Sequence, residues 1–162
     1  MSMIEIRKLD KSDWQILKDV RVRALKDSPA AFAESFEDCR NFNQSFWEGR
    51  ASSDSTKATF IAFEESTPIG MVACFSDGAI FNLVAMWVSP EYRGTGVSSE
   101  LVNRVIEFAK SNRIPKIDLV VNESNKIASK FFKKLGFRMK DDVNNPKTDI
   151  DVGKLSMFQN IT

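Results

Sequence analysis

"MWVSPEYRGTGVSSEL", residues 86–101, decides how the rest of the chain is read. An apolar run, "NLVAMWV" (82–88), stops at Ser89-Pro90, and an amphipathic run starts at Val97. Between them stand Arg93, Gly94, Thr95 and Gly96, together with the chain's one tyrosine, Tyr92. A strand leading through a glycine turn into a helix is the expected structure. The first turn of a helix carries amide N–H groups without intrahelical acceptors and a partial positive charge. Glycines let an anion approach such a backbone without meeting a Cβ, and Arg93 adds a formal charge. Residues 93–98 therefore form an anion cradle suited to a pyrophosphate. The plainer alternative is a glycine-rich turn with a surface arginine. Two other phosphate loops fail. A P-loop needs a lysine that this turn lacks. A dinucleotide fingerprint needs a third glycine where Ser99 stands and an acid at the end of the next strand, whereas Asp118 lies near that strand's start.

Outward from the turn, Val97, Leu101, Val105, Phe108 and Ala109 predict a helix over 97–112. Upstream, "ATFIAFEE" (58–65), "PIGMVACFS" (68–76) and "AIFNLVAMWV" (79–88) predict strands, and their short connections make them antiparallel neighbours. "MIEIRKL" (3–9) is a further strand. A helix over 12–26 follows it, with Trp14, Leu17, Val20 and Ala24 as its stripe. "DSPAAFAESFEDC" (27–39) predicts a turn and a second helix, and "NQSFWEGRA" (43–51) another turn or two. Downstream come the strand "KIDLVV" (116–121) and a helix whose face is Ile127, Ala128, Phe131, Phe132 and Leu135, ended by Gly136. "FRMKDD" and "VGKLSMFQN" are closing strands. A meander followed by strand–helix–strand–helix predicts an α/β (α+β) sandwich around a largely antiparallel sheet.

The 162 residues suit one domain, 1–162, and 43% hydrophobic with 28% charged residues is a globular composition. No apolar run approaches the roughly 20 residues of a membrane span, and the N-terminus lacks a signal-peptide pattern. Cys39 and Cys74 make no metal or disulfide framework, so the expected location is the cytoplasm. A net charge of +1 argues against nucleic-acid binding. With no histidine at all, triads and His-based general bases are excluded. Chemistry here falls to carboxylates, backbone, water or the substrate.

"MWVSPEYRGTGVS" resembles the central motif of the GNAT superfamily of acyl-CoA-dependent N-acyltransferases, [Q/R]-x-x-G-x-[G/A] between a strand and a helix. Arg93 and Gly96 match, and Ser98 replaces the usual small residue. "LVVNESNKIASKFFKKLGF" (119–137) resembles the family's second block, and "VRVRALKDSPAAFAESFED" (20–38) its first helices, so the likeness runs over about residues 3–140. It implies a mixed, largely antiparallel twisted sheet of about seven strands with about four helices, and acetyl-CoA as acyl donor. Arg93, Gly94, Thr95, Gly96, Val97 and Ser98 would hold the pyrophosphate, mainly by backbone amides. Met86, Trp87 and Val88 would meet the pantetheine arm and supply an oxyanion donor. Asn125, Ser129 and Phe132 would line the donor where the next strand and helix diverge; for Asn125, a helix N-cap is the plain and compatible alternative.

Many family members carry a tyrosine acid four residues before the glycine of the "LGF" ending. Here that position is Phe132, and Tyr92, in the turn, is expected to point outward. A catalyst without a side-chain acid is consistent with a thiol of ordinary acidity leaving unaided. Asn82 stands where many relatives have a glutamate and is no base. Glu34, Glu37 and Glu64 are the candidate bases, each with a solvated carboxylate as the plain alternative. Residues 27–65 hold eight acids and three bases, whereas 126–140 hold six bases and no acid. The basic cluster suits a phosphate-bearing donor and the acidic run a cationic amine acceptor, with an apolar wall drawn from Phe32, Phe36, Phe42, Phe46 or Trp47. The expected activity is transfer of an acetyl group to a primary amine in a ternary complex. A catalytically silent CoA-binding or regulatory module is the alternative. Relatives often pair through their closing strands, which leaves a homodimer open, and "DDVNNPKTDID" (141–151) is expected to be a loop that helps determine the acceptor.

Overall fold

The computed structural model describes residues 4–29, 35–140 and 153–161. Seven strands form one sheet: β1 (Ile4–Lys8), β2 (Lys57–Glu64), β3 (Thr67–Ser76), β4 (Phe81–Val88), β5 (Lys116–Asn122), β6 (Arg138–Met139) and β7 (Lys154–Asn160). Their spatial order is β1-β2-β3-β4-β5-β7-β6. All neighbours are antiparallel except β4 and β5. The helices are α1 (Trp14–Asp27), α2 (Phe36–Arg40), α3 (Gln44–Ala51), α4 (Val97–Ser111) and α5 (Lys126–Lys134).

Period-2 alternation divides the apolar side chains of β2 between the two faces of the sheet. Ala58, Phe60 and Ala62 join one core, built with α4 and α5, while Ile61 and Phe63 join a second core beneath α1 and α3. The expected stripe of α4 is buried in full: Val97, Leu101, Val105, Phe108 and Ala109 all lie in the first core. In α1, Leu17, Val20 and Ala24 are buried and Trp14 packs half-buried beside them. Asp10 accepts from the Ser12 amide just ahead of α1, and Ser35, Asn43 and Asn125 cap α2, α3 and α5 through their side chains.

The face expected for α5 needs one correction. Ile127 is 86% exposed, and the buried positions are Ser129 and Phe132. Ile127 lies on the side of α5 away from the buried Ser129 and Phe132, although its neighbour Ala128 packs on the core. Within the predicted "FRMKDD" strand, Arg138 and Met139 pair with β7. Asp141 and Asp142, like the rest of 141–151, fall outside the described residues.

Two features of the sheet shape the site. Strands β4 and β5 share a single register pair, Asn82↔Asp118. Beyond it, the end of β4 pairs only with β3 and the end of β5 only with β7, so the two parallel strands open into a V. The second feature is a bulge in β4. Ala73 faces Val84 while Met71 faces Trp87, so β4 uses one extra residue, and Ala85 sits there at φ +57°. A bulge detaches an amide from the ladder and re-aims its neighbours.

Candidate functional site

From the bulge, β4 runs through Trp87 and Val88 into the glycine turn. Gly94 and Gly96 have φ of +80° and +94°, values that glycine adopts without a Cβ penalty. Gly96 is the N-cap of α4 and supplies no side-chain cap, so the first amides of that helix have neither an intrahelical acceptor nor a capping oxygen. A Cβ at either glycine would meet nothing beyond its chain neighbours within 4 Å, so both glycines face open space. The cradle fits a pyrophosphate: donors converge at a helix N-terminus, and no side chain fills the approach.

Arg93 is placed differently from a free cation lining the turn. Its Nε donates to the Val88 carbonyl at 2.9 Å and its terminal nitrogen to Asp27 Oδ2 at 2.6 Å. The same oxygen accepts from the Trp87 indole at 3.0 Å and the Ser28 hydroxyl at 2.7 Å. The indole hydrogen bond first, then those from Ser28 and Arg93, hold the Asp27 carboxyl down at about 2.

Tyr92 does not turn outward. It is half-buried against the first core, and its hydroxyl donates to the Glu64 carboxylate, which raises the phenol above its ordinary value. Glu64, a candidate base, ends β2, two strands from β4 or about 10 Å across the sheet. There it meets Tyr92, which lies between the end of β4 and the glycine turn. Glu34 lies outside the described residues. Glu37, in α2, pairs with Arg40 at 2.9 Å.

Phe132, at the position of the family's tyrosine, is 6% exposed and packs edge-to-face on Phe131 and Phe137 with ring centroids 5.1 and 5.6 Å away. It is a core residue here. Asn125 adopts the capping role, its Oδ1 accepting from the Ala128 amide at 3.0 Å, which leaves its NH₂ to donate elsewhere. Ser129 is buried, and its hydroxyl donates to the Lys126 carbonyl at 3.2 Å. Of the aromatics of the first half, Trp47 is fully buried and Phe36, Phe42 and Phe46 pack on the same core; Phe32 lies outside the described residues.

Two site features escape a reading of the sequence. The Ala85 bulge has no local signature, because alanine, unlike glycine or asparagine, does not advertise a left-handed backbone. Asp118 is the other. It sits at the apex of the V, its side chain 7% exposed, with Oδ2 2.6 Å from Lys140 Nζ and a buried Oδ1 that has no hydrogen-bond donor. An aspartate near the start of a strand, between the apolar Ile117 and Leu119, was its only signal. A groove of about 770 Å³ lies elsewhere, between α1, α2 and the β2–β3 turn, with Arg23, Arg40, Phe63 and Pro68 on its walls; it includes neither the glycine turn nor the V.

An opened parallel pair and a bulged strand, which the structure adds, lead into the glycine-started helix that the sequence motif implies. Residues 14–137 match the acetyltransferase (GNAT) family, and the chain belongs to it. Among curated proteins it is 32% identical over 91 residues to an uncharacterized N-acetyltransferase of Methanocaldococcus jannaschii, covering 52% of this chain and 40% of that protein. It is 28% identical over 135 residues to the mycothiol acetyltransferase of Thermobispora bispora, covering 79% and 43%. The chain thus matches under half the length of these relatives. Among solved structures, a GNAT-family acetyltransferase from Streptococcus pneumoniae superposes with a TM-score of 0.80 at 19% identity, over 99% of this chain and 100% of that one. The PaiA N-acetyltransferase of Thermoplasma acidophilum, in complex with coenzyme A, superposes with a TM-score of 0.72 at 23% identity, over 98% and 99%. At these identities the likeness is one of fold. Among the described residues, no helix is long and apolar enough to cross a membrane.

Proposed function

We propose that the chain is an N-acetyltransferase that moves an acetyl group from acetyl-CoA to a primary amine of a small molecule or peptide. The observation that carries this reading is the V itself: β4 and β5 joined at one register pair, with the bulged end of β4 leading straight into the open amides of the glycine turn. Bound there, acetyl-CoA would supply an acyl carbonyl activated as a thioester.

The chain's own contribution is placement and polarisation. Backbone amides of Gly94–Ser98 hold the pyrophosphate at the start of α4, and Met86, Trp87 and Val88 align the pantetheine arm along the unpaired edge of β4. An amide released from the ladder at the bulge polarises the acyl oxygen. Asn125 Nδ2 is the side-chain donor at the far wall. An alkylammonium must lose its proton before attack, which costs about 4–5 kcal/mol at neutral pH. Glu34, Glu37, Glu64 and water in the V are the candidate acceptors of that proton. With Phe132 in the core, the thiolate leaves without a side-chain acid.

The acidic run of the first half supports a cationic acceptor less than its count implies. Asp27 pairs with Arg93, Glu37 with Arg40 and Glu48 with Lys11, and Glu64 holds Tyr92. A cationic amine remains the finer reading, to be separated by assay. Release of free thiol from acetyl-CoA, followed across a panel of cationic, neutral and anionic amines, is the test. Amine-dependent release supports the enzyme. Coenzyme A binding without release from any amine would leave the silent binding module as the function.

A further inference from the structure

Two contacts hold the arginine of the glycine turn, and two more tie its carboxylate partner to Trp87 at the end of β4 and to Ser28. Asp27 Oδ2 receives Arg93 at 2.6 Å, Ser28 at 2.7 Å and Trp87 Nε1 at 3.0 Å, while Arg93 Nε binds the Val88 carbonyl at 2.9 Å. The Trp87–Val88 segment is thereby gripped by its indole on one side and its carbonyl on the other. Both grips run to one carboxylate, at the last residue of α1. Arg23 adds to the cluster, its guanidinium 5.5 Å from the Trp87 ring centre and donating to the Pro68 carbonyl at 2.7 Å. An isolated surface ion pair contributes little, but a carboxylate oxygen shared by three donors is a network whose members fix one another.

We infer that Asp27 is a positioning residue for acyl transfer: through Arg93 and Trp87 it braces the end of β4, and the Arg93 guanidinium serves as that brace and not as a phosphate ligand. This rests on the proposed use of the Gly94–Ser98 amides for coenzyme A. Three features support it. Arg93 has its charge matched by Asp27 before any ligand arrives. Its fork points back to the strand that precedes the turn. The Asp27 carboxylate stays ionised down to about pH 2, so the brace is present at every working pH. The amides of Met86–Val88 must meet the acyl group within a few tenths of an ångström, and a misplacement of about 1 Å costs up to about 100-fold in rate.

Two thioester donors separate a brace from a ligand. Acetyl-CoA carries the pyrophosphate, and acetyl-pantetheine carries the same thioester without any phosphate. Asp27→Asn and Arg93→Met should lower kcat/KM about tenfold or more with both donors, by the same factor. The double variant should be no worse than the poorer single one, because both changes break one network. Trp87→Phe keeps the ring and removes only the indole N–H; it should show the same equal loss, and it serves if Arg93→Met does not fold. A loss confined to acetyl-CoA is the signature of a phosphate ligand and would overturn the inference. So would additive losses or unchanged rates. Wild-type protein inactive with both donors would overturn the proposed function itself, and this inference with it.

Discussion

Replacing Phe132 with tyrosine adds one hydroxyl to the buried face of α5, and we expect it to lower stability without raising turnover. The ring is 6% exposed and edge-on to both Phe131 and Phe137. The rings it packs against, Phe131 and Phe137, offer no side-chain hydrogen-bond acceptor. A buried hydroxyl without a partner costs about 1–3 kcal/mol. For a chain of this length that is a fall in Tm of about 3–10 °C. Thermal unfolding followed by circular dichroism, with thiol release measured on the same preparation, reads both quantities. A Tm unchanged within a degree, with turnover raised about tenfold or more, would refute the placement. It would mean that the ring reaches the V and that a phenol there protonates the leaving thiolate.

Gly96→Val should weaken coenzyme A binding about tenfold or more by calorimetry while the protein stays folded. The backbone at φ +94° disfavours a branched residue, and the added methyls would stand where the phosphate approaches. Ala85→Gly should raise stability by about 1 kcal/mol in denaturant titrations, because it relieves a left-handed conformation at φ +57°; a loss of stability would mean the bulge carries no strain. The Asp27 carboxyl lies at about 2 when folded against 3.8 ordinarily, so its stabilisation is complete above about pH 4 and lost as pH falls toward 2. Asp27→Asn should therefore flatten the acid limb of the stability–pH curve in that window, and an unchanged limb would contradict the network. Cys39 and Cys74 are both buried, and burial pushes the Cys74 thiol up to about 12. A disulfide exchange reagent should consume no thiol in the native protein and two after denaturation.

Much of the fold was legible because its signals are local. The stripe Val97, Leu101, Val105, Phe108, Ala109 needs only a 3.6-residue period and a hydrophobic layer to become α4, and all five are buried. Turns of two and four residues between apolar runs make β2, β3 and β4 antiparallel neighbours. Glycines on either side of Thr95, ahead of a helix, announce open amides whatever the rest of the chain does. Asn125, in front of an amphipathic run, announces a cap.

What only the tertiary structure decided are the relations between residues far apart in the chain. Arg93 looks from the sequence like a charge for a phosphate, and its engagement with Asp27, 66 residues away, exists only because α1 ends over the last residues of β4. Tyr92 looks like an exposed turn residue until β2 brings Glu64 to its hydroxyl. Phe132 is interchangeable on paper between cleft and core, and the rings of Phe131 and Phe137 settle it. The V between β4 and β5 is set by which strands each of them pairs with, and no window of residues encodes that choice. Periodicity and backbone chemistry act over a few residues and can be read along the chain; the partner of a charge or a ring is chosen by packing, where residues distant in sequence compete for the same few ångströms.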